Sequence, residues 1–346
     1  MEGTGSYGAG LARHLAGAGI EVAEVLRPSR QTRRMRGKTD QIDAYAAAQT
    51  VLAGTDCSTP KHGDGLVEAM RVTMIARASA IKAATDTRLQ IRDLIVSAPD
   101  ALRSQLRDLT GTKLVDTLAA SRTRDHEDRL AGLTRTTLRT LARRIKALDV
   151  EIDTYDHTLS SLVTEANPAL LQAKGIGTIC AAQLLIAAGD NPERIKSEAA
   201  FAMMCGAAPI PASSGKTVRH RLNRGGNRQA NCALYHIAVV RLHADDRTRA
   251  YAARRREQGK TTKEIIRCLK RAIAREVYHL ITNPPQPINT TQLRPLREAA
   301  SLTLAQAADA LKCSISTLSS IERGHSSNRQ TITAYRDYLT SHQNAA

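Results

Sequence analysis

The sequence predicts a mainly α chain of several domains, with one partial α/β region at its start. Three observations carry this. The chain has 346 residues, which suggests two or three domains. Hydrophobic residues make up 42% and aromatics only 3%, with no Trp and one Phe. A core must therefore be assembled from Leu, Ile, Val and Ala, which suits packed helices. Apolar residues also recur at steps of three and four through most of the chain, and a single segment alternates as a strand does. The expected order is a partial α/β domain over residues 1–60, a helical coiled-coil region over 61–166 and a helical domain over 167–282. A linker over 283–292 and a small helical unit over 293–340 complete it.

Met1-Glu2-Gly3-Thr4-Gly5 reads as the exit of a strand into a Gly-rich turn. A helix follows, with Leu11, His14, Leu15 and Ala18 on one face and Gly19 at its end. Ile20 to Leu26 alternate, and Arg27-Pro28 closes this strand candidate. A basic loop from Arg30 to Lys38 leads to a helix from Asp40 to about Ala53. A lone strand makes no stable sheet, so the region is expected to be N-terminally truncated or completed from elsewhere.

From Leu66 to about Ala98 the pattern is helical, with Val67, Met74 and Ile81 at heptad spacing. Leu138, Leu141, Ile145, Leu148, Ile152, Tyr155, Leu159 and Leu162 then form an a/d seam over more than three heptads. The two helices pair either within the chain as a hairpin or between chains, in a dimer or tetramer. Asn167-Pro168 marks a boundary, and Cys180 to Gly189 suits a buried core helix. Between them Lys174-Gly175-Ile176-Gly177 has the form of a helix-hairpin-helix turn. Such a turn offers backbone N–H groups to a phosphate without reading bases. Lys174, Gly175 and Gly177 are thus candidate DNA contacts, against the plainer reading of an ordinary interhelical turn. Asn283-Pro284-Pro285-Gln286-Pro287 is a stiff linker.

The net charge of +17 implies an anionic partner, DNA or RNA. Lys216 to Glu276 holds 17 Lys and Arg against 5 Asp and Glu, a net +12. Within it, Arg254-Arg255-Arg256, Lys260, Lys263, Arg267, Lys270 and Arg271 form a basic helical face suited to a nucleic-acid backbone. The six cysteines form no CxxC pair. Zinc fingers and a disulfide framework are therefore not expected, and the thiols read as buried and free in a reducing, cytoplasmic setting. No signal peptide is recognisable and no apolar run reaches membrane-spanning length, so no membrane partner is expected. Tyr235 and Tyr251 lack the Arg/His constellation of a tyrosine recombinase and read as packing residues.

Two motifs carry chemistry. Asp40 and Asp43, three apart on a helix, share one face. Their repulsion is relieved by a divalent cation, and Mg²⁺ suits carboxylate oxygens. Capping and the helix dipole account for acidic residues at a helix start equally well. The second motif is Ser213-Ser214-Gly215-Lys216 followed by Arg219, Arg221, Arg224 and Arg228, with Gly225 and Gly226 between. A serine hydroxyl needs activation to attack a phosphate. Arginines offset the charge that builds on the phosphoryl oxygens, and glycines let backbone approach closely. A flexible Ser/Gly loop with non-catalytic arginines is the alternative.

Glu2-Gly3-Thr4-Gly5-Ser6-Tyr7-Gly8 with Lys38-Thr39-Asp40-Gln41-Ile42-Asp43-Ala44 resembles the second half of a RuvC-like (RNase H-like) DEDD domain. Such domains occur in the Piv/MooV invertase-like transposases, the insertion-sequence family numbered one-ten. The resemblance implies that Glu2, Asp40 and Asp43 hold Mg²⁺ (or Mn²⁺) and act catalytically. The family's first Asp has no counterpart here. Gly206-Ala207-Ala208-Pro209-Ile210-Pro211-Ala212-Ser213-Ser214-Gly215-Lys216, with the arginines after it, resembles the family's helical, serine-bearing transposase domain. There Ser214 matches the nucleophile, with Ser213 as second choice, and Lys216, Arg219, Arg221, Arg224 and Arg228 are DNA contacts.

Residues Leu302 to Leu311 and Ser314 to Gly324 resemble a lambda-repressor/Cro-type helix-turn-helix, with Ser316, Thr317 and Ser320 on the exposed side of the recognition helix. The family further implies a DNA transposase, joined to double-stranded DNA by a bridging non-coding RNA and working as a homo-oligomer. Two rivals stand beside it: a truncated, inactive DNA-binding remnant, and a RuvC-like structure-selective nuclease that uses water instead of serine.

Overall fold

The computed structural model describes residues 1, 3–25, 39–54, 57–122, 128–215, 220–285, 290–323 and 329–343. They fall into two compact units, residues 1–68 with 163–346, and residues 69–162.

In the first unit, α1 (Ala9–Gly17) buries none of its residues. The expected apolar face is therefore open, with Leu11 54% exposed. The expected strand from Ile20 contracts to β1 (Glu24–Val25). After α2 (Asp40–Leu52), β2 (Cys57–Ser58) pairs antiparallel with β1, Glu24 opposite Ser58 and Val25 opposite Cys57. On the other edge of β1, the Met1 amino group donates to Ala23 O at 2.7 Å and the Val25 N–H donates to Met1 O at 2.9 Å. That pattern is a parallel ladder. The chain leaves Met1, crosses through α1 and returns alongside Met1 at β1. Among the described residues β1 starts only where partners lie beside it, because an unpaired strand leaves its N–H and C=O groups unbonded.

The segment after β2 is pinned to the chain far downstream. Asn191 donates to Pro60 O at 2.9 Å and accepts from the His62 N–H at 2.9 Å. The Asp190 carboxylate accepts the Val67 N–H at 2.9 Å and the Gly65 N–H at 3.2 Å. A Cβ on Gly65 would lie 2.6 Å from that carboxylate, so only glycine permits the approach.

The second unit contains most of α3 (Leu66–Val96), then α4 (Asp100–Leu106), α5 (Gly111–Ala120) and most of α6 (Arg129–Ala166). Arg77 forks onto Asp156 at 2.5 and 3.2 Å, and Arg88 onto Asp149 at 2.7 and 3.0 Å. Rising numbers on α3 meet falling numbers on α6, so the two run antiparallel. The end of α3 joins α4, α5 and the first half of α6 in one core, including Ile91, Leu102, Leu118, Leu138 and Ile145. Of the two pairings left open by the a/d seam, the hairpin within the chain is the one observed. The row Val67, Met74, Ile81 is not the buried one on α3, since Ile81 is 36% exposed while Met70, Ala80, Ala84 and Ile91 are buried. A strict seven-residue row drifts around a straight helix of 3.6 residues per turn.

The first unit resumes with α7 (Pro168–Gln172), α8 (Thr178–Ala188), α9 (Glu198–Met204), β3 (Ile210–Pro211) and β4 (His220–Arg221). Then come α10 (Arg228–Ala244), α11 (Asp246–Glu257) and α12 (Thr262–Thr282). α10 is central and packs on α8, α11 and α12. Its buried Ala230, Ala233 and Ala238 and the buried Ala181, Ala182 and Ala188 of α8 bring these helices close. Phe201 is fully buried, its ring 6.2 Å from that of Tyr278.

Last come α13 (Leu293–Ala299), α14 (Leu304–Ala310), α15 (Ile315–Glu322) and α16 (Arg329–Gln343) around Leu293, Ala307, Leu318, Ile321, Tyr335 and Leu339. Inside this small core Glu322 accepts from Arg297 at 2.7 and 3.2 Å and from the Tyr335 hydroxyl at 2.7 Å. All six cysteines are free, but only Cys205 is buried and Cys232 is exposed, against the expectation that all are buried. Among the described residues no helix is long and apolar enough to cross a membrane.

Candidate functional site

β3 and β4 are the two arms of a short antiparallel hairpin, with Ile210 opposite Arg221 and Pro211 opposite His220. Ser213, Ser214 and Gly215 lie at its tip and are exposed. Gly215 takes φ +55°, with open space where a Cβ would stand. Among the described residues nothing hydrogen-bonds the Ser214 hydroxyl. Lys216 and Arg219 lie outside the described residues.

The base of the hairpin is tied down from below. Asn231 on α10 donates to Cys205 O at 2.8 Å and Gly206 O at 3.0 Å. Gly226 takes φ +85°, and a Cβ there would lie 2.6 Å from Met204 O. Its freedom is thus used for packing against the end of α9, not for an open approach to a ligand. Arg224 and Arg228 are exposed, Arg228 at the first turn of α10, where Asn227 caps the helix by accepting from Gln229 N at 2.9 Å and Ala230 N at 3.1 Å.

Beside β4 opens a cavity of about 730 Å³, walled by the turn after α9, by His220 and Arg221 of β4, and by α11 and α12. Gly259, at φ +77°, ends α11, and α12 starts at once on a capping box of Thr261 and Glu264. This tight reversal turns two basic helices onto one hollow. The convergence of Arg255, Lys260, Arg267, Lys270 and Arg271 on one space was not visible in the sequence. The sequence treats them as one face shared with Arg254, Arg256 and Lys263, which do not line it.

The carboxylate pair lies on α2. Thr39 caps that helix by accepting from the Ile42 N–H at 3.3 Å. Capping therefore does not occupy Asp40 or Asp43, which both sit in the first turn. Among the described residues Asp43 Oδ1 is shielded from solvent with no hydrogen-bond partner. A buried acceptor left without a donor calls for a cation or water, which fits a metal-holding role. Glu2 lies outside the described residues. Among the described residues there is no group of three or more His, Cys, Asp or Glu that could hold a metal ion.

The turn over residues 173–177 packs against α10. Gly175 takes φ +79°, and its Cα faces the side chains of Val240 and Arg241. Arg241 donates to Lys174 O at 2.7 Å, and the Lys174 ammonium lies 3.5 Å from Asp245. Gly177 begins α8 without a side-chain cap. On α15, Ser314 is the N-cap and its hydroxyl also bonds those of Ser316 at 2.8 Å and Thr317 at 2.7 Å. Ser316 is exposed, while Thr317 and Ser320 are half-buried.

The described residues thus present a hairpin with an exposed serine, a cation-walled hollow and a small helical unit around its own core. Comparison with known proteins gives the family of the chain's domains. A model described as "Transposase IS116/IS110/IS902 family" matches residues 167–253, and a DEDD transposase model of the IS110 type, described as "Transposase", matches residues 1–99. A "Helix-turn-helix domain" model matches residues 290–339. The chain carries transposase domains of the IS110/IS116/IS902 family, with a helix-turn-helix domain after them. It is 33% identical over 181 residues to "Insertion element IS110 uncharacterized 43.6 kDa protein" of Streptomyces coelicolor, covering 51% of this chain and 39% of that protein. It is 26% identical over 278 residues to "Insertion element IS900 uncharacterized 42 kDa protein" of Mycobacterium paratuberculosis, covering 69% of this chain and 70% of that protein. The chain thus spans about two fifths of the first relative and about two thirds of the second.

Proposed function

We propose that this chain is a DNA transposase that cleaves and rejoins strands at the ends of an insertion element, with Ser214 as nucleophile and Ser213 as the second choice. The observation that carries the reading is an exposed Ser-Gly tip on a hairpin whose returning arm, through Arg221, walls a cationic cavity. Attack forms a bond from Ser214 Oγ to phosphorus as the bond from phosphorus to a sugar oxygen breaks. The serine's proton ends on the released sugar hydroxyl. A sugar hydroxyl of the second strand then attacks the phosphoserine and restores Ser214. One phosphodiester replaces another, so no outside energy source is needed. Arg221, Arg224 and Arg228, with Lys216 and Arg219, hold the phosphates, and Lys174, Gly175 and Gly177 add a backbone contact.

The DEDD family suggests a divalent metal. Glu2, Asp40 and Asp43 would hold Mg²⁺ (or Mn²⁺), which when bound supplies Lewis-acid stabilisation of phosphoryl oxygens. In this reading the chain works as a homo-oligomer on double-stranded DNA, directed by a bridging non-coding RNA, and Ser316, Thr317 and Ser320 approach DNA from the appended domain.

The test is an adduct assay with the full chain, element-end DNA, Mg²⁺ and the element's own transcript. Wild type is expected to leave a phosphoserine peptide containing Ser214, detected by mass spectrometry. Ser214→Ala should lower the adduct about 1,000-fold or more, as loss of a nucleophile does. Cleavage that survives replacement of both serines would instead assign the chain to water-using nucleases. DNA binding with no cleavage at all would make it an inactive binder.

A further inference from the structure

The cavity beside β4 holds more positive charge than its surroundings answer. Arg221, Arg255, Lys260, Arg267, Lys270 and Arg271 line it, and Glu264 is its lone carboxylate. Glu264 is already engaged, accepting from the Thr261 N–H at 2.9 Å and the Thr261 hydroxyl at 2.7 Å. Among the described residues two guanidinium donors, Arg255 Nε and Arg271 Nη1, are shielded from solvent with no hydrogen-bond partner. Arg255 spends one other nitrogen on Gln258 at 2.8 Å, and Arg271 one on Glu198 at 3.2 Å. Lys270 gives one bond to Asn231 at 2.7 Å. Burial, and then repulsion from Arg267, push the Lys270 ammonium below its ordinary value. Desolvated donors without acceptors cost stability unless an anion meets them.

Neutral recognition groups are scarce. Asn223 uses its amide on Met203 O at 3.3 Å, and its side-chain oxygen accepts the Gly225 N–H at 2.9 Å. Among the described residues no Phe, Tyr or Trp lines the wall, and its one ring is the imidazole of His220. The hollow therefore suits a charge and not a base. Its wall is the arm that carries Ser214's hairpin back, so an occupant belongs to the strand the serine meets.

We infer that this cavity seats a phosphodiester of the DNA strand engaged at Ser214, gripping it without reading its sequence through Arg255, Lys260, Arg267, Lys270 and Arg271. The inference rests on the proposed function for the identity of the strand. It divides the basic face of the sequence into residues that grip and residues that only add field.

The test measures binding of the full chain to a fluorescent DNA duplex across a NaCl titration. Arg255→Met and Lys260→Gln remove cavity charges, and Arg247→Gln removes one charge from the exposed surface of α11, outside the cavity. Cavity variants should bind about tenfold more weakly and flatten the slope of log affinity on log salt by about one, the size of one lost phosphate contact. Arg247→Gln should weaken binding less than about threefold. Arg255→Lys keeps the charge and guards against a folding artefact, and it should recover most of the loss.

Equal effects from cavity and surface variants would overturn the inference. So would stabilisation by inorganic phosphate with DNA affinity untouched, or a loss confined to an RNA probe. The Ser214 adduct is read separately. Adduct formation with no cavity effect rejects the cavity alone, and a cavity effect with no adduct rejects the nucleophile alone.

Discussion

Two regions of this chain shelter arginine, and they treat it in opposite ways. In the helix-turn-helix unit, Arg297 is met by both oxygens of Glu322, whose other contact is the Tyr335 hydroxyl. Among the described residues of the serine domain, Arg255 and Arg271 each keep a shielded N–H without an acceptor. The first arrangement is closed and serves the fold. The second leaves single donors open even though Arg271 also pairs with Glu198 at 3.2 Å. Those open donors, and not a wholly unmatched charge, are what the phosphate proposal rests on.

The sharpest way to break this contrast is Glu322→Gln. It removes the buried partner of Arg297 and leaves only the more exposed Glu298, 3.7 Å away, which costs about 3 kcal/mol. Hydrogen exchange should show α13 to α16 losing protection while residues 163–282 keep theirs. Equal protection in both would mean that the pair is not structural.

Acid acts on the same pair. Burial works against ionisation of Glu322, but Arg297 and Tyr335 outweigh it and hold the carboxyl below its ordinary value. The stabilisation is therefore full above the ordinary carboxylate range and is lost as pH falls through the depressed value. A melt of the helix-turn-helix unit followed across acidic pH should show that direction, and Glu322→Gln should flatten it.

Asp43→Asn comes next in size. It should leave the melting temperature nearly unchanged, because no partner of Oδ1 is lost. It should weaken Mg²⁺ or Mn²⁺ binding tenfold or more, about 1.4 kcal/mol, read by calorimetry. A fall in stability with metal binding unchanged would make Asp43 structural. Arg255→Met should shift stability by no more than about 1 kcal/mol in phosphate-free buffer, because it removes an unanswered buried donor. Ser316→Ala is the smallest, within about 0.5 kcal/mol for an exposed position. Its effect on DNA affinity should stay below about threefold.

Much of this was legible in the sequence because it is local. The breaks at Asn167-Pro168 and Asn283-Pro284 are written in adjacent residues. So is the Ser213-Ser214-Gly215 motif, though not the hairpin that carries it. What was not legible depends on contacts between distant segments. Among the described residues the strand expected from Ile20 starts only at Glu24, where Met1 and Cys57–Ser58 lie beside it. The a/d seam of α6 allows a hairpin or a dimer equally, and only the Arg77–Asp156 and Arg88–Asp149 pairs show the hairpin. Spacing put Arg254, Arg255 and Arg256 on one face, yet the reversal at Gly259 sends only Arg255 into the hollow.

The clamp of Asp190 and Asn191 on residues 60–67 bears on how such chains diversify. Backbone groups of Pro60, His62, Gly65 and Val67 are read by two neighbouring side chains more than 120 residues away. A gene crossover falling between codons 67 and 190 would join halves from different parents across this contact and disturb it wherever the parents differ. A crossover before codon 60 would pass the whole contact on intact. Chimeras of relatives should therefore yield folded protein more often when the join precedes Pro60, and the carboxylate helix should exchange between lineages as a cassette that ends there.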